Sequence, residues 1–295
     1  MLLGFRCTKC GKLVEVPLET GGRCPSCQGT LLAVYGFSDV DAEMLDGGEP
    51  YEGIWRFRRL LPPTSSEVSL GEGGTPLLGA ARLSEELKLK KVLLKNEGEN
   101  PTGSFMDRGS AVLVSKLLDH GVRGVCGVFK GNLGASLAAY TARAGLECLA
   151  LLREPIDAAK LYQMIAYGAK VKAWQPGLEC SGLYCVRSAD PYMVEGFKTV
   201  CFEICSALSW RCPEVLVVPV GSGGLITAVW KGLKELEALG LIQKASARLI
   251  GVQPSFCAPV VEKWRGVKLS KGEGLVVDLA FPEPERGAEA LAAIR

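Results

Sequence analysis

Between residues 91 and 265, short apolar runs alternate with runs of helical period, and this alternation narrows the possible folds more than any motif does. Extended segments fall at 92–95, 122–129, 147–152, 169–174, 215–220 and 248–252. Helical segments fall between and after them, at 105–119, 131–144, 157–167, 191–208, 224–238 and 255–265. Leu161, Met164 and Ile165 sit at core spacing in the third of these. A strand followed by a helix and another strand is a crossover unit, so the pattern predicts an α/β fold with parallel-type sheets. A chain of 295 residues, 48% of them hydrophobic, can build one large α/β unit or two medium domains. Residues 287–295 read as one more helix, and there is no internal repeat.

Charge and cysteine usage narrow the class further. Thirty-four Lys and Arg against 32 Asp and Glu leave a formal net charge of +2, which argues against a nucleic-acid or anionic-membrane surface. No apolar run reaches membrane-spanning length, and residues 1–7 lack the core of a secretory signal, so a cytoplasmic protein is expected. Of the 12 cysteines, Cys7, Cys10, Cys24 and Cys27 form a C-x-x-C…C-x-x-C array. Each pair turns two thiolates toward one ion, and four thiolates close a tetrahedral site, so residues 5–35 read as a zinc ribbon. A redox pair would open a helix, whereas the residues after Cys10 look extended. Iron is the alternative metal. The remaining cysteines read as buried small hydrophobes, and Cys180 and Cys185 as a free pair in preference to a disulfide.

Residues 36–65 read as irregular, with Trp55 and Phe57 alternating with Arg56 and Arg58 as in a strand-like linker. Residues 69–78 (SLGEGGTPLL) read as a glycine loop. Three loops follow strands and precede helices, where open α/β sheets bind ligands. Residues 100–109 (NPTGSFMDRG) turn at Pro101 and Gly103, and Thr102 and Ser104 can each cap the helix that follows. Residues 130–136 (KGNLGAS) carry Asn132, which either caps its helix or bonds a ligand hydroxyl. Gly221, Ser222, Gly223, Gly224 and Leu225 follow a buried strand and read as a phosphate cradle. No G-K-[S/T] follows them, and Ile226 breaks a G-x-G-x-x-G pattern. The one histidine, His120, reads as a surface residue at a helix end, which leaves no His-based triad.

In order along the chain, these segments resemble threonine synthase, a member of the β-family (fold type II) of pyridoxal-phosphate enzymes. The resemblance rests on the four-cysteine ribbon, LGEGGTPL at 70–77, KNE…NPTGSF-x-DRG at 95–109, Gly131-Asn132, YGA at 167–169, EGFKT at 195–199 and VPVGSGG at 218–224. It implies a two-domain architecture with a zinc ribbon at 1–36 and a small α/β domain at 101–190. The larger cofactor domain would combine 37–100 with 191–295. It further implies that residues 221–225 hold the cofactor phosphate and that Asn132 bonds the 3′-oxygen of the pyridine. Gly131 and its loop would approach the substrate carboxylate, and Ser104, Phe105, Asp107 and Arg108 would frame the Schiff-base lysine. Ser104, Phe105 and Asp107 would, with Gly131, bind the substrate. The family reaction turns O-phosphohomoserine and water into threonine and phosphate, and cysteate synthase is a related alternative.

Three departures qualify that expectation. The family lysine, which holds the cofactor and moves protons, is Met106 here, and a thioether can do neither. Lys130 stands where relatives usually have Ser or Thr, and it is the candidate substitute amine. Relatives continue for several elements beyond residue 295, including a partner for the pyridine nitrogen. The expectation is therefore a threonine-synthase-like scaffold with impaired catalysis. The alternative is a non-catalytic relative that binds a phosphorylated, amino-acid-like ligand or a partner. Its assembly would be a homodimer or a complex with a chain that completes the C-terminal part.

Overall fold

The computed structural model describes residues 1–37, 50–129, 131–153, 157–176, 180, 182–269 and 274–294. The ribbon comes first. Strands β1 (Leu2–Cys7), β2 (Leu13–Val14) and β3 (Leu31–Tyr35) form an antiparallel sheet in the order β2-β1-β3. Phe5 and Leu31 are buried, and the Phe5 ring meets Tyr192 edge-on at 5.1 Å. The Tyr35 hydroxyl donates to Glu195 at 2.8 Å. The ribbon is thus seated on the body of the protein by an apolar contact and a buried polar one.

The strand-like reading of residues 55–58 is wrong. Residues Pro50–Leu60 form short helical turns that bend at Gly53, where φ is +57°. Ile54, Phe57 and Leu60 all point inward, which is a three-residue period. The bulky Arg56 and Arg58 made that period look like two. A hairpin-like pair also went unread: β4 (Leu77–Gly79) and β5 (Leu93–Lys95) run antiparallel, joined through α1 (Ala81–Glu86).

The first α/β layer follows. It comprises α2 (Met106–Asp119), β6 (Gly124–Val128), α3 (Gly131–Arg143), β7 (Glu147–Leu152), α4 (Ala158–Ala166), β8 (Lys170–Ala173) and β9 (Tyr184–Cys185). The four strands are parallel in the order β8-β7-β6-β9. Cys126 pairs in register with Cys185, yet its disulfide is to Cys180, with the Cα atoms 5.5 Å apart. This corrects the expected free pair: Cys180 is oxidised and Cys185 is a free thiol. The cause is the pairing of β9 with β6, which carries Cys180 back over a strand 54 residues earlier.

The second layer contains α5 (Pro191–Phe197), α6 (Thr199–Ala207), β10 (Val215–Pro219), α7 (Gly224–Ala238), β11 (Arg248–Val252), α8 (Pro259–Arg265) and α9 (Gly287–Ile294). Strands β10 and β11 are parallel. The run expected as one helix at 191–208 is two helices meeting at Lys198. The helix expected from 255 starts at Pro259, whose fixed φ suits a first turn. Two hydrophobic cores result. One lies under the ribbon, α2, α3 and the four-stranded sheet. The other lies under α6, α7, α9 and β10–β11. The two-domain α/β architecture is as expected, with antiparallel pairs added in the ribbon and at β4–β5.

Where α2 crosses α5, both helices need glycine. A Cβ on Gly109 would lie 2.5 Å from the Phe197 ring, and one on Gly196 would lie 1.9 Å from the Arg108 carbonyl. This crossing presses the start of α2, and with it residues 104–108, against α5 within the first core. Among the described residues no helix is long and apolar enough to cross a membrane.

Candidate functional site

The loop before α2 is held from inside. Asp107 is fully buried and accepts from the Thr102 amide at 2.7 Å and the Thr102 hydroxyl at 2.6 Å. Ser104 Oγ accepts from the Met106 amide at 3.1 Å, satisfying a donor of the first helical turn. Burial pushes the Asp107 carboxyl upward, against hydrogen bonds from Ser136 and Thr102 that favour its charged form. Ser104 and Asp107 therefore shape the loop and do not line the cleft.

Below the loop, Arg108 is fully buried in a cluster of charges. Its guanidinium donates to Glu97 at 2.7 and 2.8 Å, to Glu203 at 2.6 and 2.9 Å, and to Thr75 and Thr199 at 3.0 Å each. Lys95 Nζ reaches Glu203 at 2.6 Å. Burial alone would raise the Glu203 pKa, but Arg108 and Lys95 outweigh it and hold the carboxyl at about 2. The cluster ties β5, α2 and α6 together two residues along the chain from position 106.

The cleft itself has a volume of about 450 Å³. Phe105 and Met106 line one side, and Pro219 with Gly221, Ser222, Gly223, Gly224 and Leu225 line another. Gly223 has φ +90° and precedes α7 with no side-chain cap, so the first amides of a 15-residue helix are open to an anion. Asn132 also lines the cleft, with its amide 3.5 Å from Asp278. Gly131 begins α3 with φ +37°, and a Cβ there would lie 2.8 Å from the Asp278 carboxylate. The structure thus gathers Phe105, Met106, Asn132 and residues 221–225 around one space. Gly131 sits at its edge. Lys130 lies outside the described residues.

Sequence reading missed two walls of this cleft. Cys185, Val186, Arg187 and Ser188 line it from the end of β9, and Asp278, Leu279, Phe281 and Glu285 line it from the segment before α9. Neither segment carries a recognisable motif, and only the pairing of β9 with β6 and the docking of α9 bring them there. His120 is exposed at the end of α2, as expected.

The cysteine array closes as its spacing suggested. The four Sγ atoms lie within 4.8 Å of one another, with Cys7–Cys27 at 3.5 Å and Cys10–Cys24 at 3.6 Å. Four thiolates about 2.3 Å from a zinc ion stand about 3.8 Å apart, so the cluster has the size a metal needs.

A glycine loop at an uncapped helix N-terminus, facing a second loop across a cleft, is the arrangement in which α/β proteins bind ligands. The chain belongs to the pyridoxal-phosphate-dependent enzyme family, whose model matches residues 68–295, and within fold type II it is related by homology to threonine synthase. The threonine synthase of Methanocaldococcus jannaschii is 40% identical over 278 residues, covering 88% of this chain and 67% of the relative. That of Methanosarcina acetivorans is 33% identical over 308 aligned residues, covering 99% of this chain and 76% of the relative. The chain therefore spans about two thirds to three quarters of the length of these relatives. In fold it is similar to maize serine racemase, with a TM-score of 0.63 at 19% identity over 75% of this chain and 71% of the other.

The cleft fits part of pyridoxal phosphate and not the rest. The glycine run and uncapped start of α7 suit its phosphate, and the Asn132 amide suits the hydroxyl oxygen carried on its ring. Met106 offers no amine for covalent attachment.

Proposed function

We propose that this chain is a threonine-synthase-like protein whose cleft holds pyridoxal phosphate, or a similar phosphorylated ligand, without a covalent bond at position 106. Turnover of O-phosphohomoserine to threonine is accordingly lost or severely impaired. Met106 carries this reading: it lines the cleft at the start of α2, opposite the phosphate-type loop, with a thioether where the family chemistry needs an amine. When bound, the cofactor supplies an electron-withdrawing ring for reactions at amino-acid carbons. The amides of residues 221–225 bind its phosphate, Asn132 orients the ring by a hydrogen bond, and Phe105 and Met106 give it an apolar wall. No side chain described in this wall can take up or release a proton at the position of the missing lysine. The cysteine ribbon holds one structural zinc ion.

A titration with pyridoxal phosphate, followed by borohydride reduction and peptide mapping, tests the proposal. Reversible binding is expected, with no fixed adduct on the peptide spanning 100–109 or on Lys130. An adduct on Lys130 would mean that a relocated amine has replaced the family lysine, and the proposal would fall. Met106→Lys restores an amine, so a reducible adduct at that position is the expected gain. Metal analysis should return about one zinc per chain, as four thiolates closing one tetrahedral site require.

A further inference from the structure

Segment 285–286 makes contacts that neither the ribbon nor the cleft explains alone. Arg286 is fully buried, and its Nη2 donates to the Leu31 carbonyl of β3 at 2.8 Å and to the Ala189 carbonyl at 2.6 Å. Its backbone amide donates to the Ser222 carbonyl at 2.9 Å. Its own carbonyl lies 2.6 Å from where a Cβ on Gly223 would stand. Its neighbour Glu285 accepts from Arg23 of the ribbon at 2.6 Å, from the Ser188 hydroxyl at 2.8 Å and from the Ala189 amide at 3.0 Å. One turn of chain thus touches the ribbon on one side and the phosphate-type loop on the other, with the cleft rim between.

The energetics point the same way. A fully buried guanidinium is costly unless its donors are satisfied. Arg286 Nε and Nη1 have no hydrogen-bond partner, and the nearest carboxylate, Glu289, stands 3.5 Å from Nη1. An apolar side chain would fill this space at lower cost, but it could not bridge two carbonyls belonging to different parts of the fold. Glu289 itself bonds Thr8 and Thr30 of the ribbon, so α9 is attached to the ribbon at a second point.

We infer that the metal ribbon sets the conformation of the phosphate-type loop through Arg23, Glu285 and Arg286, which act as positioning residues for the ligand phosphate. The identity of that ligand rests on the function proposed above, but the coupling does not. When the ribbon is seated, Glu285 and Arg286 are held, and the Ser222 carbonyl and the space beside Gly223 are held with them. Coupling of this kind is reciprocal: a ligand that orders the loop must tighten the seating of the ribbon by the same factor.

The test uses the full chain with Arg23→Ala, Arg23→Lys and Glu285→Gln, read first by hydrogen exchange over residues 221–225. Faster exchange there is expected in Arg23→Ala and Glu285→Gln, with partial recovery in Arg23→Lys and no change over β8 and α4. Affinity for pyridoxal phosphate should weaken on the order of tenfold in the same two variants. Saturating ligand should slow zinc release to a chelator in the wild-type chain and not in Arg23→Ala. Unchanged loop exchange in Arg23→Ala and Glu285→Gln, with the zinc retained, would overturn the coupling. If the wild-type chain takes up no pyridoxal phosphate, the proposed ligand fails, and loop exchange still decides the coupling on its own.

Discussion

Met106 and Arg108 stand two residues apart and have opposite consequences. The first places a thioether, with no titratable group, in the wall of the cleft. The second is the centre of a buried charge cluster that would be unfavourable if any partner were lost. Glu203→Gln should cost about 3 kcal/mol or more, because Arg108 and Lys95 would both lose a buried counter-charge, and urea denaturation at pH 7 measures it. The same carboxylate sets an acid limit. Its pKa in the folded protein is about 2, below the ordinary 4.5, so its contribution is complete above about pH 4.5 and disappears as the pH falls toward 2. Asp190 has the opposite sign: burial, only partly offset by hydrogen bonds from Tyr184 and the Tyr192 amide, raises it to about 6. Its contribution is complete below about pH 3.8 and is lost as the pH rises through 6. As the pH falls the gain at Asp190 offsets the loss at Glu203 down to about pH 3.8, so wild-type stability should drop steeply only below that. In Glu203→Gln that steep limb should flatten, and thermal melts from pH 3 to 7 would reveal it.

Among the elements, the crossing of α2 and α5 governs where the loop before α2 lies. Gly109 and Gly196 bring the two backbones together, and no side chain fits between them. Gly196→Ala should destabilise the protein by at least ~1–3 kcal/mol through overpacking. It should also weaken ligand binding, because α2 can move away only by carrying Phe105 and Met106 with it. A melting temperature equal to wild type would contradict this account of the crossing. The pattern NPTGSFMDRG showed the turn and the helix start from sequence alone, because capping and turn chemistry are local. It did not show that Asp107 accepts from Thr102, since that depends on which side of the loop is covered by α3 and α4.

For the molecule as a whole, the ribbon is part of the body and not an appendage. Phe5 packs on Tyr192, Tyr35 bonds Glu195, and Arg23 bonds Glu285. Removing the metal with a chelator should therefore lower the melting temperature of the entire chain and not only unfold residues 1–36. Cys24→Ser should behave in the same way, and two separate unfolding transitions in calorimetry would count against a shared core. The alternation of strands and helices, the three loops at strand ends, the four-cysteine array and the absence of an amine at 106 were all readable from the sequence. Each depends on residues within a few positions of one another, where period, turn chemistry and ligand spacing act directly. Tertiary structure alone decided the pairing of β9 with β6 and the Cys126–Cys180 disulfide that follows from it. It alone joined Arg108 to a carboxylate 95 residues away, and brought 278–286 between the ribbon and the cleft. Those contacts come from the way helices and sheets pack once formed, and no local pattern in the chain specifies the partner.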